Sequence, residues 1–230
     1  MRKEEFQQRL QGIELFPVVP LEPGDTLLQM NLTASNKGLD AATYTNTELF
    51  SNWVEALLQS AGARYGIGGY GEHRTIYARS EKFDTHVEEP RRLHLGIDVW
   101  GPAETPVYAP LAGTVHSVAD NDFFGDYGGT VILRHEVGGF VFHTLYGHLS
   151  RASLEDKAEG ATVAAGERIA SFGIPEENGH WPPHLHFQAI IDMQGRRGDY
   201  PGVCCFSEKE QWLANSPDPD VLLDMMERVR

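Results

Sequence analysis

Between Pro106 and Ile191 the chain is a series of short β-branched or aromatic runs, and that series restricts the fold more than any other feature. The runs are Pro106–Pro110, Gly113–Val118, Gly129–His135, Phe140–Tyr146, Ala161–Val163, Arg168–Gly173 and His184–Ile191. Gly, Asp and Asn clusters separate them at hairpin-like intervals, the pattern of neighbouring strands joined by tight turns. No strand–helix alternation is present, so a doubly wound parallel sheet is excluded. The expectation is a mainly β, antiparallel fold.

Helices are expected only at the two ends. From Thr47 to about Ala61, apolar residues fall at Leu49, Phe50, Trp53, Val54, Leu57 and Leu58. That is amphipathic helical spacing, with Asn46 as N-cap and Gly62 at the C-terminus. Residues 1–44 contain Phe16-Pro-Val-Val-Pro20 and Pro23-Gly-Asp, whose breakers predict irregular extended chain. Near the C-terminus, Ser207 with Glu210 has capping-box spacing, and Asp218-Pro219 reads as an N-cap followed by a first-turn proline. Three segments follow: an extension over 1–62 with one amphipathic helix, a β-rich domain over 63–205, and a C-terminal helical segment over 206–230.

With 230 residues and 41% hydrophobic content, the chain can bury a full core. A formal charge of −14 argues against nucleic acid or anionic membranes as partners. No run reaches transmembrane length. The two cysteines, Cys204 and Cys205, are adjacent and read as ordinary thiols. The first ten residues are charged and lack an apolar h-region, so the chain as written reads as cytoplasmic. A chain trimmed of its leader would read the same way, with a periplasmic or extracellular home.

Ten histidines have to be sorted. His94-Leu-Gly-Ile-Asp98 and His184-Leu-His186 have even spacings, and on strands such residues share a face. Two imidazoles and a carboxylate converging on one spot suit zinc, with a fourth position left for water. His73, His86 and His116 have no partner pattern. His135 and His143 could each support such a cluster from behind or simply be buried with a hydrogen bond. His180 lies in the rigid loop Asn178-Gly-His-Trp-Pro-Pro183, beside a cleft or on the surface. No His-Glu-x-x-His helix is present, since His135-Glu136 lacks the second histidine. The glycines of Tyr65-Gly-Ile-Gly-Gly-Tyr-Gly-Glu-His-Arg-Thr-Ile-Tyr77 lack a phosphate-loop context. They read as a structural turn, or as a loop at a cleft mouth with Arg74 or Tyr77 facing substrate.

Taken in order, four motifs resemble the LytM/lysostaphin-type zinc metalloendopeptidases. They are His94-Leu-Gly-Ile-Asp98, Thr105–Val115, Tyr146-Gly-His-Leu-Ser150 and Pro183-His-Leu-His-Phe187, with Gly160–Ile169 matching the family's connecting segment. The resemblance spans about residues 90–190. It implies an antiparallel β-sheet/split-barrel metallopeptidase core with flanking N- and C-terminal helices. It further implies His94, Asp98 and His186 as zinc ligands and His148 and His184 as catalytic histidines beside the metal. The implied activity is amide hydrolysis in peptidoglycan cross-links or a related peptide, by a metal-activated water with paired histidines. Two departures stand out: the bulky, acidic Glu176–Pro183 loop, and Gln188 where the family often has Glu.

Two other classes compete. A metal-free regulatory or binding module of the same fold would have lost ligands, and none is lost. A non-haem iron oxygenase also uses two histidines and a carboxylate, but its common His-x-Asp signature is absent, and His148 and His184 would be left without a role. In the N-terminal segment, Asn31, Asn36 or Asn46 is a candidate to cover the metal. The expected partner is a peptide or peptidoglycan-fragment substrate, with no nucleic acid and no membrane insertion.

Overall fold

The computed structural model describes residues 1–84 and 88–229. His86 lies outside the described residues. The strands are β1 (Leu27–Met30), β2 (Tyr65–Gly68), β3 (Leu93–His94), β4 (Ile97–Trp100), β5 (Pro106–Tyr108), β6 (Gly113–Asn121), β7 (Gly128–Val137), β8 (Phe140–Leu149), β9 (Thr162–Val163), β10 (Arg168–Ser171), β11 (His184–Ile190) and β12 (Val203–Cys204). Helices are α1 (Lys3–Arg9), α2 (Ala41–Thr45), α3 (Thr47–Ala61), α4 (Lys209–Asn215) and α5 (Asp220–Leu223). Among the described residues, eight strands form one sheet in the order β1-β2-β4-β11-β8-β7-β6-β9. Two small pairs, β10-β5 and β12-β3, stand apart from it. Among the described strands only β1 and β2 pair parallel, so the sheet is mainly antiparallel as the strand pattern predicts. No described helix is long and apolar enough to cross a membrane.

Period-two alternation separates the sheet's two faces. Tyr65 and Ile67 on β2, Ile97 and Val99 on β4, and Leu185, Phe187 and Ala189 on β11 all enter the main hydrophobic core. Between them, Gly66, Gly68, Asp98, Trp100, His184, His186 and Gln188 alternate onto the opposite face. That face is polar yet covered. Phe50 of α3 packs 5.9 Å from Trp100, in a second cluster that also holds Ile76, Tyr77, Phe83 and Trp181.

α3 forms as its periodicity and caps predict. The Asn46 side chain accepts from Leu49 N at 3.0 Å, and Gly62 closes the helix in the left-handed region at φ 58°. The first 44 residues are more ordered than their breakers suggest. α1 buries Phe6 edge-on against Phe142 at 5.3 Å, and β1 extends the sheet beside β2. Seven residues with a single buried apolar side chain give α1 no readable period. The predicted Ser207/Glu210 capping box does not form, because Ser207 N and Oγ bond Glu89 instead and α4 starts at Lys209. Asp218 does accept from Asp220 N at 2.9 Å, at the start of α5. Cys204 and Cys205 are free and buried.

Two further histidines lie away from His184 and His186, His135 on the core face and His143 on the face shared with Gln188 and Ile190. His135 bonds Ala112 O at 2.9 Å and Thr144 Oγ1 at 2.7 Å, and burial lowers its pKa. Burial first, then the neighbouring His116 and Arg134, pushes His143 down to about 4. Both are neutral when folded, whereas in the unfolded chain they take up protons near pH 6.5. The unfolded state therefore binds more protons below that pH, and stability falls as the pH drops from about 6.5 towards 4. Scanning calorimetry of the metal-free protein between pH 7.5 and 4.5 should give a falling melting temperature, with a shallower fall for His143→Gln. A flat profile, or the same slope in the variant, contradicts this.

Candidate metal centre

His186 on β11 lies directly opposite Asp98 on β4 in the strand register. Cross-strand neighbours of this kind are close enough to interact, and His186 Nδ1 sits 3.0 Å from Asp98 Oδ1. His94 arrives by a different route. It does not share a strand with Asp98 as the even spacing suggests. The chain breaks at Leu95-Gly96, and His94 belongs to β3, which pairs with β12. The break still aims His94 Nε2 at the same point, 3.2 Å from Asp98 Oδ1 and 3.0 Å from His186 Nδ1. The three ligand atoms lie within 4.8 Å of one another, and all three residues are buried.

Gly96 makes that break possible. A Cβ there would stand 2.7 Å from the His186 ring and 2.7 Å from Phe187 O. The glycine of His-Leu-Gly-Ile-Asp is therefore required by the close approach of His186.

The hydrogen-bond network fixes which nitrogens carry protons. His94 Nδ1–H donates to Gly69 O at 3.2 Å. His186 Nε2–H donates to Gln188 Oε1 at 3.0 Å. Gln188 cannot be turned around, because its Nε2 donates to Pro201 O at 3.2 Å and to Ser216 Oγ at 2.9 Å. With each ring neutral, two imidazole lone pairs and a carboxylate oxygen face one another. Such a donor set fits a cation, and it has the composition of a three-ligand zinc site.

The electrostatics agree. Burial works against ionised Asp98, but the neighbouring His94 and Arg74 hold its pKa well below the carboxylate range. Burial, with Arg74 adding, pushes His94 down to about 3. The carboxylate is ionised and the His94 imidazole neutral, the states a metal ligand needs.

His148 and His184 sit beside the cluster. Their rings are 4.1 Å apart between centroids, and His148 is 6.4 Å from His186. His148 Nδ1–H donates to Asn178 O at 2.8 Å, and His184 Nδ1–H to Pro182 O at 2.7 Å. Each Nε2 lone pair is left free for chemistry. Burial lowers both pKa values, His184 to about 4 and His148, with His184 adding, well below the ordinary imidazole. His148 stands at φ 63°, a conformation disfavoured for a residue with a side chain and common at functional positions. Trp100 stacks on His184 at 3.9 Å and 11°, so α3, through Phe50 and Trp100, fixes the ring plane.

Arg74 has a role its sequence context does not reveal. It is fully buried behind the cluster rather than at a cleft mouth. It pairs with Asp98 Oδ2 and with Glu72 Oε2, the latter at 2.7 Å. One Asp98 oxygen is thereby engaged, and Oδ1 is left for the cluster. Gly68 leaves the room this guanidinium occupies. Tyr77 does line the cavity over the cluster, whereas His180 does not. Asn31 and Asn36 bond within their own loop and Asn46 caps α3, so none covers the cluster.

Two variants test this geometry. Gly96→Ala should cost about 1–3 kcal/mol by overpacking and weaken metal binding by moving His186. Arg74→Gln leaves Asp98 Oδ2 without its cation and should lower metal affinity by about 10–100-fold. Competition with a chromogenic chelator and thermal melts read both. Wild-type affinity in either variant contradicts the arrangement described.

Residues 92–197 match the family model described as Peptidase family M23. A Haemophilus influenzae protein named "Uncharacterized metalloprotease" is 40% identical over 101 residues, which cover 44% of this chain. The chain spans only 19% of that relative's length. Among solved structures, a zinc-containing peptidase from Vibrio cholerae is 30% identical over 44% of this chain and 28% of its own, with a TM-score of 0.34. The catalytic domain of the antimicrobial peptidase lysostaphin from Staphylococcus simulans is 21% identical over 76% of this chain and 97% of its own, with a TM-score of 0.45. Residues 92–197, which hold His94, Asp98 and His186, are thus similar to Peptidase family M23 over the same stretch that carries the four motifs.

Proposed function

We propose that this protein is a zinc-dependent metalloendopeptidase that hydrolyses amide bonds in peptidoglycan cross-links or a related peptide. His94, Asp98 and His186 are the proposed zinc ligands, and His148 and His184 the proposed catalytic pair. The observation that carries the reading is the convergence of three unprotonated ligand atoms, with two further imidazole lone pairs beside them.

Zinc bound by three protein ligands supplies Lewis acidity and lowers the pKa of a water from its bulk value towards about 7. The chain's own residues supply the rest. Neutral His148 and His184 have Nε2 free to accept the proton of the attacking water. Once protonated, the same nitrogen can donate to the oxyanion and then return the proton to the departing amine. The Asn178 and Pro182 carbonyls hold both rings in the required tautomer. Asn178 is itself fixed, with Nδ2 donating to Gly173 O and Trp181 O and Oδ1 accepting from Trp181 N. Trp100 stacked on His184 excludes water from one face of that ring, and Trp181 stands T-shaped to it.

The roles separate by variant. His186→Ala should lose zinc and activity together, whereas His148→Ala should keep about one zinc per chain and lose turnover by about 10²-fold or more. Zinc content by mass spectrometry, with cleavage of muropeptides and glycine-rich peptides, reads both. Zinc retained by the first variant, or full turnover in the second, contradicts the assignment.

A further inference from the structure

We propose that the cavity over the proposed zinc site takes a short amide substrate and holds it by a carboxylate close to the scissile bond. This rests on the peptidase reading above and narrows its substrate class.

The first observation is size and enclosure. The cavity measures about 210 Å³, below the roughly 300–1,000 Å³ of pockets for drug-sized ligands. On its floor, Asp98, His184 and His186 are at most 3% exposed and His148 is 6% exposed. Tyr77, Phe83, Tyr127 and Trp181 line the cavity around these groups. A short chain fits such a space, whereas the interior of a cross-linked polymer needs an open groove.

The second observation is an imbalance of hydrogen-bonding groups. Trp100 Nε1, Trp181 Nε1 and Arg91 Nε are buried and have no partner among the described residues. All three residues line the cavity. Each of these atoms can only donate, and outside the metal cluster and the His148–His184 pair no orphaned buried acceptor from a lining side chain is found among the described residues. A buried donor without a partner costs about 1–3 kcal/mol, a cost that an occupant bringing acceptors to the cavity lowers once these side chains turn towards it.

The third observation is charge. Lys82, Arg91 and Arg196 line the cavity, against Asp126 and Asp199 outside the metal cluster. Lys82 and Asp126 pair with each other and Asp199 offsets one arginine, so the lining outside the cluster keeps one net positive charge, and Arg91 has no carboxylate partner among the described residues. Arg91 is held in place by its bond to Lys82 O and by the Phe83 ring, 5.7 Å away. A carboxylate accepts from several donors at once and pairs with a guanidinium. On a chain of net charge −14, this cationic lining is a local exception to the charge of the whole.

The test uses the full chain, metal-free and zinc-loaded. A defined library of N-acetylated tripeptides is made in three forms: free C-terminal acid, C-terminal amide, and amide carrying one glutamate. Capped twelve-residue peptides of matching composition are added. Retention on the metal-free protein is read by affinity-selection mass spectrometry, and cleavage by the zinc-loaded protein is read separately. One carboxylate form should be retained at least tenfold over the neutral amides, and which form it is tells main-chain from side-chain carboxylate. Arg91→Ala and the exposed Arg196→Ala should each cut that preference below threefold while keeping the wild-type zinc content. Equal retention of neutral amides, preference for the long peptides, a preference that survives both substitutions, or no retention at all would overturn the proposal. Carboxylate-selective retention without any cleavage sinks the peptidase reading alone, and cleavage without carboxylate preference sinks this proposal alone.

Discussion

The arrangement depends on three acceptors forced together. His94 Nε2, His186 Nδ1 and Asp98 Oδ1 stand 3.0–3.2 Å apart. The carbonyl of Gly69 and the amide of Gln188 hold the only imidazole protons elsewhere. Buried acceptors without a donor carry a free-energy cost, and a buried carboxylate a larger one. A divalent cation relieves all three at once. The surrounding network keeps them facing inward: Arg74 on the outer carboxylate oxygen, and Pro201 O and Ser216 Oγ on the amide of Gln188.

The rest of the fold supplies rigid supports for that cluster. Period-two alternation sends Leu185 and Phe187 into the main core, so His184 and His186 must face the other way. Antiparallel register sets His186 against Asp98 and His184 against Trp100. α3 then closes the polar face through Phe50, and the 176–183 loop closes it through Trp181. A residue substitution far from the cluster acts on it through these contacts, because the ring planes of His148 and His184 are set by packing as well as by hydrogen bonds.

Much of this was legible in the sequence where local pattern and tertiary structure agree. The strand runs from Pro106 to Ile191, the caps of α3 and the free cysteines all appear as read. His94, Asp98, His148, His184 and His186 are brought into one neighbourhood. What was not legible depended on contacts distant in sequence. α1 and β1 are stabilised by Phe6 on Phe142 and by pairing with β2, neither of which leaves a local period. Ser207 exchanged its expected cap for Glu89, far away along the chain. His94 and Asp98 converge across a break rather than along a strand, because Gly96 must pass the His186 ring. Arg74 read as a loop residue, since nothing local marks an arginine whose partner is Asp98 on another strand.

The central claim is that the three facing lone pairs hold a metal ion. The most direct measurement is the divalent-metal content of protein purified without added metal, paired with its melting temperature before and after chelation. The account predicts about one zinc per chain and a lower melting temperature once the chelator removes it. No metal bound even at micromolar zinc, with a melting temperature that chelation leaves unchanged, would contradict it.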